Sequence, residues 1–490
     1  MDISILMENT ILALLVGVFA SYIGGALFRN NERVISGVIA LVALSVALVN
    51  SWMMLPALMS GVQTIAAFGF LVLNVDLLGW IVAQTGLVLT LIVTLYSISY
   101  MDEDSGTSKF FPLLLLLITS VLGLVFGSDL FNLYVFFELL SITSFTLVAF
   151  RKKQWDPVEA GIKFLVMSSM GSAMILLGIA LVYKDFGQLD LTTLYTLTST
   201  GAVQQWWLPV ALFTVGFGIK AAMFPLHTWL PDAHAEAPSG ISAMLSGIVI
   251  EAGFFVMFRV LLAIGSTFPW GMMLVWFALL TMTAGNIMAL TQSSMKRMLA
   301  YSSVAQMGYI LLGVGIAVAY NAPAGGTGGI FHIVTHAFMK GLAFLCAGAF
   351  IHRLGSGKLD DMRGAGWKMP LTGAAFTIAV LSLAGVPPFS GFMSKLLIYQ
   401  SGIQAGTALG WTAAFIAILN SVLSLGYYLP AVGTLYSRNP SAASSRAKES
   451  PFTMSFAIAI LALITIYLGV MPDPVRSWVG QAFSALKGPF

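Results

Sequence analysis

Phe217-Gly218-Ile219-Lys220-Ala221-Ala222-Met223-Phe224-Pro225-Leu226-His227-Thr228-Trp229-Leu230-Pro231-Asp232-Ala233-His234 leads into an apolar run that is broken by Glu251. A lysine and a glutamate are thus held in sequence apolar enough to lie inside a bilayer. An ionisable side chain at that depth costs about 2.5–3.5 kcal/mol on insertion scales, so it normally faces a partner or a water-filled cavity rather than lipid. Lys220 and Glu251 are therefore functional candidates by default.

The chain around this stretch has the composition of a polytopic membrane protein. Of its 490 residues 58% are hydrophobic and only 9% are charged, more apolar sequence than a soluble core accounts for. Residues Asp2 and Glu8 stand where a signal peptide would carry basic residues, so the first apolar run is expected to be a retained span. A single cysteine, Cys346, rules out intrachain disulfides. The net charge of +3 is spread over membrane-flanking loops rather than one patch, and no nucleic-acid partner is expected.

About 17–25 apolar residues cross the hydrocarbon layer as a helix. Runs of that kind lie near 10–28, 34–55, 78–100, 110–127, 130–150, 160–183 and 206–226 (spans 1–7). Spans 8–14 follow near 239–264, 269–291, 297–319, 326–351, 371–403, 408–436 and 452–471. The predicted fold class is therefore an all-α polytopic membrane protein of about 14 transmembrane helices. Residues 56–75 compete for a fifteenth span, but Pro56, Gly61, Gln63 and Asn74 dilute them.

Basic residues decide that case. Fifteen of the 23 Lys and Arg fall in loops after odd-numbered spans, whereas the opposite loops hold only Lys184. Lysine and arginine concentrate on the cytoplasmic side, which puts both termini outside. A span at 56–75 would send Arg29 and Arg33 to the wrong side, so this stretch is expected to be an external excursion.

Apart from the loops and the tail residues Arg476 and Lys487, five basic residues lie within spans: Lys163, Lys220, Arg259, Lys340 and Lys395. Lys163 and Arg259 are near helix ends and are expected to snorkel to the headgroups. Glu138 and Glu251 fall near mid-span, with Asp129 at the mouth of span 5. Span 12 is about 33 residues long, too long for one straight crossing, and contains Gly385-Val386-Pro387-Pro388; span 7 runs into Pro225. Broken helices in both halves of a membrane chain are the usual sign of an inverted repeat with its ion site at the breaks. Spans 4–8 are therefore paired with spans 9–13. The implied divisions are 1–109, 110–264, 265–436 and 437–490.

At an assumed ~7 Å and an effective dielectric of ~20, Glu138 stabilises a charged Lys220 by about 2.4 kcal/mol, so displacing the glutamate would favour proton release. A fixed ion pair locking two helices is the rival reading. Span 11 carries His332, His336 and Lys340 four residues apart, a one-faced stripe of about 12 Å by helical rise. A titratable stripe inside a membrane reads as a proton relay. Zinc is the competitor, but no Glu follows the first His and no acidic third ligand lies in the span, so no metal site is expected. Lys395, seven residues after Pro388, reads as the exit-side group or as a cap for carbonyls freed at the break. Ser302, Ser303, Gln306, Asn286 and Gln84 hold waters or join helices. His227, Asp232, His234 and Glu236 admit protons or shape the turn. No phosphate-binding loop, dinucleotide fingerprint or cysteine cluster is present, so no cofactor is expected and the driving force must come from ion gradients or partner subunits.

Three stretches carry a family resemblance. They are Asp129-Leu130-Phe131-Asn132-Leu133-Tyr134-Val135-Phe136-Phe137-Glu138, the segment Pro225 to Pro238, and Gly385-Val386-Pro387-Pro388-Phe389-Ser390-Gly391-Phe392. They resemble the antiporter-like subunits shared by respiratory complex I, membrane-bound hydrogenases and multisubunit Mrp cation/proton antiporters, over essentially the whole chain. The resemblance implies two inverted five-helix units, proton movement along a central polar axis, other membrane subunits as partners, H⁺ and a further cation such as Na⁺ as transported ions, and a bacterial or archaeal cell membrane. By position Glu138, Lys220 and Lys395 look like the family's glutamate of helix 5 and lysines of helices 7 and 12, and His332 and His336 are similar to its helix 11 histidines.

One position departs. Where many members carry a lysine on helix 8, this chain has Glu251. Either the wire runs through a glutamate, which is the expectation, or the site prefers a cation, or conduction is lost. About 19 residues follow span 14, so the long lateral helix of L-type complex I and Mrp A-type subunits is not expected. Length, the span 5 motif and Lys395 look most like the Mrp D-type subunit of a Na⁺/H⁺ antiporter. The alternative is the proton-pumping subunit of complex I or of a membrane-bound hydrogenase.

Overall fold

A computed structural model describes residues 2–200 and 206–486; Lys487 and the last three residues of the predicted tail lie outside the described residues. The fourteen predicted spans all appear as helices. The first six are α1 (Ile3–Leu27), α2 (Glu32–Met53), α3 (Leu77–Tyr100), α4 (Thr107–Phe126), α5 (Leu130–Val148) and α6 (Trp155–Phe186). The seventh is broken into α7a (Trp207–Lys220) and α7b (Leu230–Glu236), followed by α8 (Ser239–Ile264). Next come α9 (Trp270–Leu290), α10 (Met295–Tyr320) and α11 (Pro323–Leu354). The twelfth is broken into α12a (Pro370–Ala384) and α12b (Ser390–Gln404), ahead of α13 (Ala408–Leu435) and α14 (Phe452–Val470). Twelve of the described helices are long and apolar enough to cross a membrane, and α7a and α12a are shorter apolar halves.

The helices form two shells. All of the most apolar window of α11 is buried inside the protein, against 28% of that of α1. The inner set of α3, α4, α8, α10 and α11 carries Glu251, His332, His336 and Lys340, where a charged group costs less because it meets protein rather than lipid. The repeat is visible in helix lengths. The third member of each five-helix set, α6 and α11, has 32 residues, and the fourth is broken in both. Five crossings per set reverse the direction in which the second set starts.

Both breaks have local causes. The helix of α7a ends at Lys220, six residues before the predicted boundary at 226, because Ala222 takes a left-handed φ of 52° and Pro225 lacks an N–H to continue the ladder. At the second break Gly385 has φ 84°, a conformation that costs glycine nothing, and a side chain there would meet the Lys395 stem at 3.0 Å.

The predicted excursion at 56–75 is a helical turn (Leu55–Leu58) and the one hairpin among the described residues, β1 (Gln63–Ala67) with β2 (Leu71–Val75). A further amphipathic helix, α15 (Asp473–Ala485), follows α14 where no element is expected from span length. Its Val475, Trp478, Val479, Ala482 and Phe483 recur at the spacing of one helix face.

Arg259 corrects the expectation of snorkelling. It is 1% exposed and its Nη2 lies 2.5 Å from Oδ1 of Asp76, which also caps α3 by accepting from the Gly79 N–H. The sequence reading gave Asp76 no role because it precedes α3 rather than lying within it. Removing one member of a buried ion pair costs about 3–5 kcal/mol because the other is left uncompensated. Asp76→Ala is therefore expected to lower the thermal inactivation midpoint of the protein in detergent, and Asp76→Leu with Arg259→Met to recover most of the loss. Lys163 behaves as expected. Half exposed, it meets Glu159 at 2.9 Å and Asp232 at 3.0 Å.

Candidate functional site: a buried polar axis

Lys220 ends α7a, 1% exposed, with its ammonium between the ring faces of Phe137 (5.3 Å) and Phe164 (4.9 Å). It donates to Ser141 Oγ at 2.9 Å. Glu138 lies one turn before Ser141 on α5, and no ion pair within 4.0 Å joins it to Lys220 among the described residues. The fixed-pair reading therefore loses its direct contact. Glu138 Oε1 is buried without a hydrogen-bond partner, and Ser141 stands between the two helices. Asp129 caps α5 by accepting from the N–H groups of Phe131 and Asn132.

Across α7a the Lys220 stem runs past Gly253 of α8, where a Cβ would sit 2.9 Å from it. Just before Glu251, residues Leu245–Val249 form a π-helical turn, a distortion that often marks functional positions. Glu251 Oε1 is 2.5 Å from His336 Nδ1, and both side chains are fully buried. A proton moving within this pair leaves its net charge unchanged, and the ion pair it creates is a hydrogen-bonded one. Glu251 Oε2 and His336 Nε2 are buried and unpartnered, so each has one position open to a further donor or acceptor.

His336 stacks on His332 with ring centroids 5.9 Å apart. His332 meets Ser394 Oγ at 2.8 Å and Gln306 Oε1 at 3.0 Å. The Gln306 amide then donates to the Leu383 carbonyl at 3.0 Å, and Lys395 Nζ donates to the same oxygen at 2.8 Å. That carbonyl is freed by the α12 break, so Lys395 fills the capping role the sequence allowed while also touching the polar axis. Lys340 branches from the stripe and donates to Leu299 O (2.7 Å) and Ser302 Oγ (2.6 Å). Ser302 is hydrogen-bonded in turn to Tyr428.

None of the ammonium groups of Lys220, Lys340 and Lys395 meets a carboxylate within 4.0 Å among the described residues. Each is held by hydroxyls, carbonyls or ring faces. Gaining or losing a proton there breaks no ion pair.

The other polar positions join helices. Ser303 meets Ser246, Asn286 meets Asn420, and Gln84 meets Ser51. Asp232 bridges Lys163 and Arg297 on α7b, whereas His234 is fully buried and stacks on Phe344 at 4.9 Å. Sequence reasoning missed Ser141, Ser394 and Ser421. In hindsight Ser394 is betrayed by its place beside Lys395, and Ser141 by its place one turn from Glu138; Ser421 carries no signal, since lone serines are common in membrane helices.

Fourteen crossings, two broken helices and a buried axis of Glu, Lys and His define a multi-pass membrane protein built to hold titratable groups at bilayer depth. Residues 127–423 match the family described as NADH:quinone oxidoreductase/Mrp antiporter, TM. The chain belongs to that family. It is 36% identical to F(420)H(2) dehydrogenase subunit N of Methanosarcina mazei, with 82% of each chain covered. It is 32% identical to NADH-quinone oxidoreductase subunit N of Chlorobium chlorochromatii, covering 81% of this chain and 79% of that one. The fold is shared with a chain of the Mrp complex from Dietzia sp. DQ12-45-1b at TM-score 0.87 and 24% identity, covering 98% and 97%.

Proposed function

We propose that this chain is a proton-translocating membrane subunit of a prokaryotic respiratory complex, working beside other membrane subunits and driven by an electron-transfer module. The observation that carries this reading is the buried series of titratable groups from Lys220 through the Glu251–His336 pair and His332 to Lys395, in which neither Lys220 nor Lys395 meets a carboxylate within 4.0 Å among the described residues. Sequence motifs alone favoured the Mrp D-type subunit and a sodium antiport. The N-type relatives at 36% and 32% identity favour the oxidoreductase arm instead, while the likeness to the Mrp chain concerns the fold. Within the chain, 110–264 and 265–436 would be two half-channels joined at Glu251 and His336, with Glu138 and Lys220 on one side and Lys395 on the other.

A scaffold reading has one observation in its favour, the Leu383 carbonyl capped by Lys395. It would make loss of transport follow loss of assembly. The proposal is tested by isolating the complex in mild detergent through a tag on this chain, with mass spectrometry and iron analysis. Partners carrying iron–sulfur centres are expected. A complex of small membrane proteins alone would return the chain to the cation antiporters.

A further inference from the structure

Beyond Lys395 the hydrogen bonds continue to groups that no motif marks. Lys395 Nζ donates to Ser421 Oγ of α13 at 3.1 Å and lies 4.2 Å from the centre of the Tyr309 ring. Ser421 Oγ is also 2.6 Å from Tyr399 Oη and 2.9 Å from Tyr309 Oη. One serine oxygen therefore collects an ammonium and two phenols, but a hydroxyl has one proton and two lone pairs. Tyr309 is 1% exposed and directs its O–H to the Ala417 carbonyl at 3.1 Å. That carbonyl has no proton to hand on.

Two arrangements satisfy these contacts. In one, Ser421 donates to Tyr309 and Tyr399 donates to Ser421, so every O–H points inward. In the other, Ser421 rotates to donate to Tyr399, whose own O–H turns away from the cluster. Only the second leads out. Lys395 is 1% exposed, whereas Ser421 and Tyr399 are both partly exposed. Tyr399 sits one turn past Lys395 on the same face of α12b, and five residues, about 7.5 Å of helical rise, short of its end at Gln404.

We propose that Ser421 and Tyr399 carry the proton out of Lys395, with rotation of the Ser421 hydroxyl as the gate. This rests on the proton-translocation reading above. In the conducting arrangement an N–H bond of Lys395 breaks and an O–H bond forms on Ser421. The former Ser421 proton passes to Tyr399, and the former Tyr399 proton passes to water. Both hydroxyls end as they began, the lysine is neutral, and one hydronium has been delivered. The inward arrangement directs the same proton to Tyr309, where it stops.

The test uses the native complex isolated through this chain and reconstituted in vesicles, with lumen pH followed by pyranine at matched electron-donor turnover. Ser421→Ala and Tyr399→Phe are each expected to slow acidification by about tenfold, less than the loss of the acid–base group itself, because each passes on a proton that Lys395 still holds. Relays in series fail together, so the double variant should be no slower than the worse single, and Ser421→Thr, which keeps the hydroxyl, should restore the rate. A purely structural role predicts additive losses and no rescue by threonine, and that result overturns the relay. Wild-type rates in Ser421→Ala and Tyr399→Phe, with Lys395→Ala inactive, overturn the relay but leave the function standing. A Lys395→Ala complex that acidifies at the wild-type rate overturns both. Tyr399→Phe removes only a hydroxyl from a partly exposed ring, so it reports on the relay even if Ser421→Ala fails to assemble.

Discussion

Lys220→Ala abolishes proton translocation by the assembled complex, with an expected loss on the order of 100-fold or more, from the lower end of the range for removing a positioned acid–base group upward. Its ammonium is the titratable group that α7a places between Ser141, next to Glu138, and α8, which bears Glu251. Nothing else on α7a can take that role, because Phe213, Thr214 and Phe217 carry no titratable side chain. The truncation also empties the space between Phe137 and Phe164, which costs packing. Lys220→Met separates the two effects, since it keeps an unbranched apolar stem and removes only the proton carrier. Both variants are expected to assemble, as judged by native gels, and both to fail in lumen acidification. Transport retained in Lys220→Met would sink the assignment, and loss of assembly in step with loss of transport would favour the scaffold.

Glu251→Gln is the second large effect. The amide is nearly the same shape and can still hydrogen-bond to His336, so the inner helices stay packed. What it cannot do is give up or take a proton. If the connection between the half-channels runs through this couple, acidification falls by about 100-fold or more while the complex stays whole. Glu251→Leu should do further harm by leaving His336 Nδ1 buried and unpaired, at about 1–3 kcal/mol. A Glu251→Gln complex that pumps normally would make the carboxylate structural and would mean that protons cross elsewhere. This position decides among the three readings the sequence left open, because it is where the chain departs from the lysine of many relatives.

The fold was legible because the membrane makes it so. Fourteen apolar runs of spanning length, the asymmetry of Lys and Arg across loops and the proline-marked breaks each carry a strong physical penalty for being misplaced. The seven titratable groups of the axis were legible for the same reason, since a lysine or glutamate at bilayer depth is too costly to be incidental. Their partners were harder to find. Ser141, Ser394 and Ser421 are ordinary residues in a membrane helix, and only three-dimensional placement shows that they receive or pass a hydrogen bond. Arg259 departs from the expectation because distance from a helix end predicts snorkelling only when the end faces lipid, and here Asp76, the cap of the inner helix α3, meets it. The helix Asp473–Ala485 was readable from its periodicity but was passed over because it lacks the length of a span.

The most direct test of proton translocation along this axis is the ratio of protons delivered to electrons transferred, measured in one vesicle preparation for the wild-type complex and for Lys395→Ala. The wild type is expected to acidify the lumen during donor oxidation and the variant to oxidise donor with a clearly lower ratio. An unchanged ratio in the variant would contradict translocation along this axis.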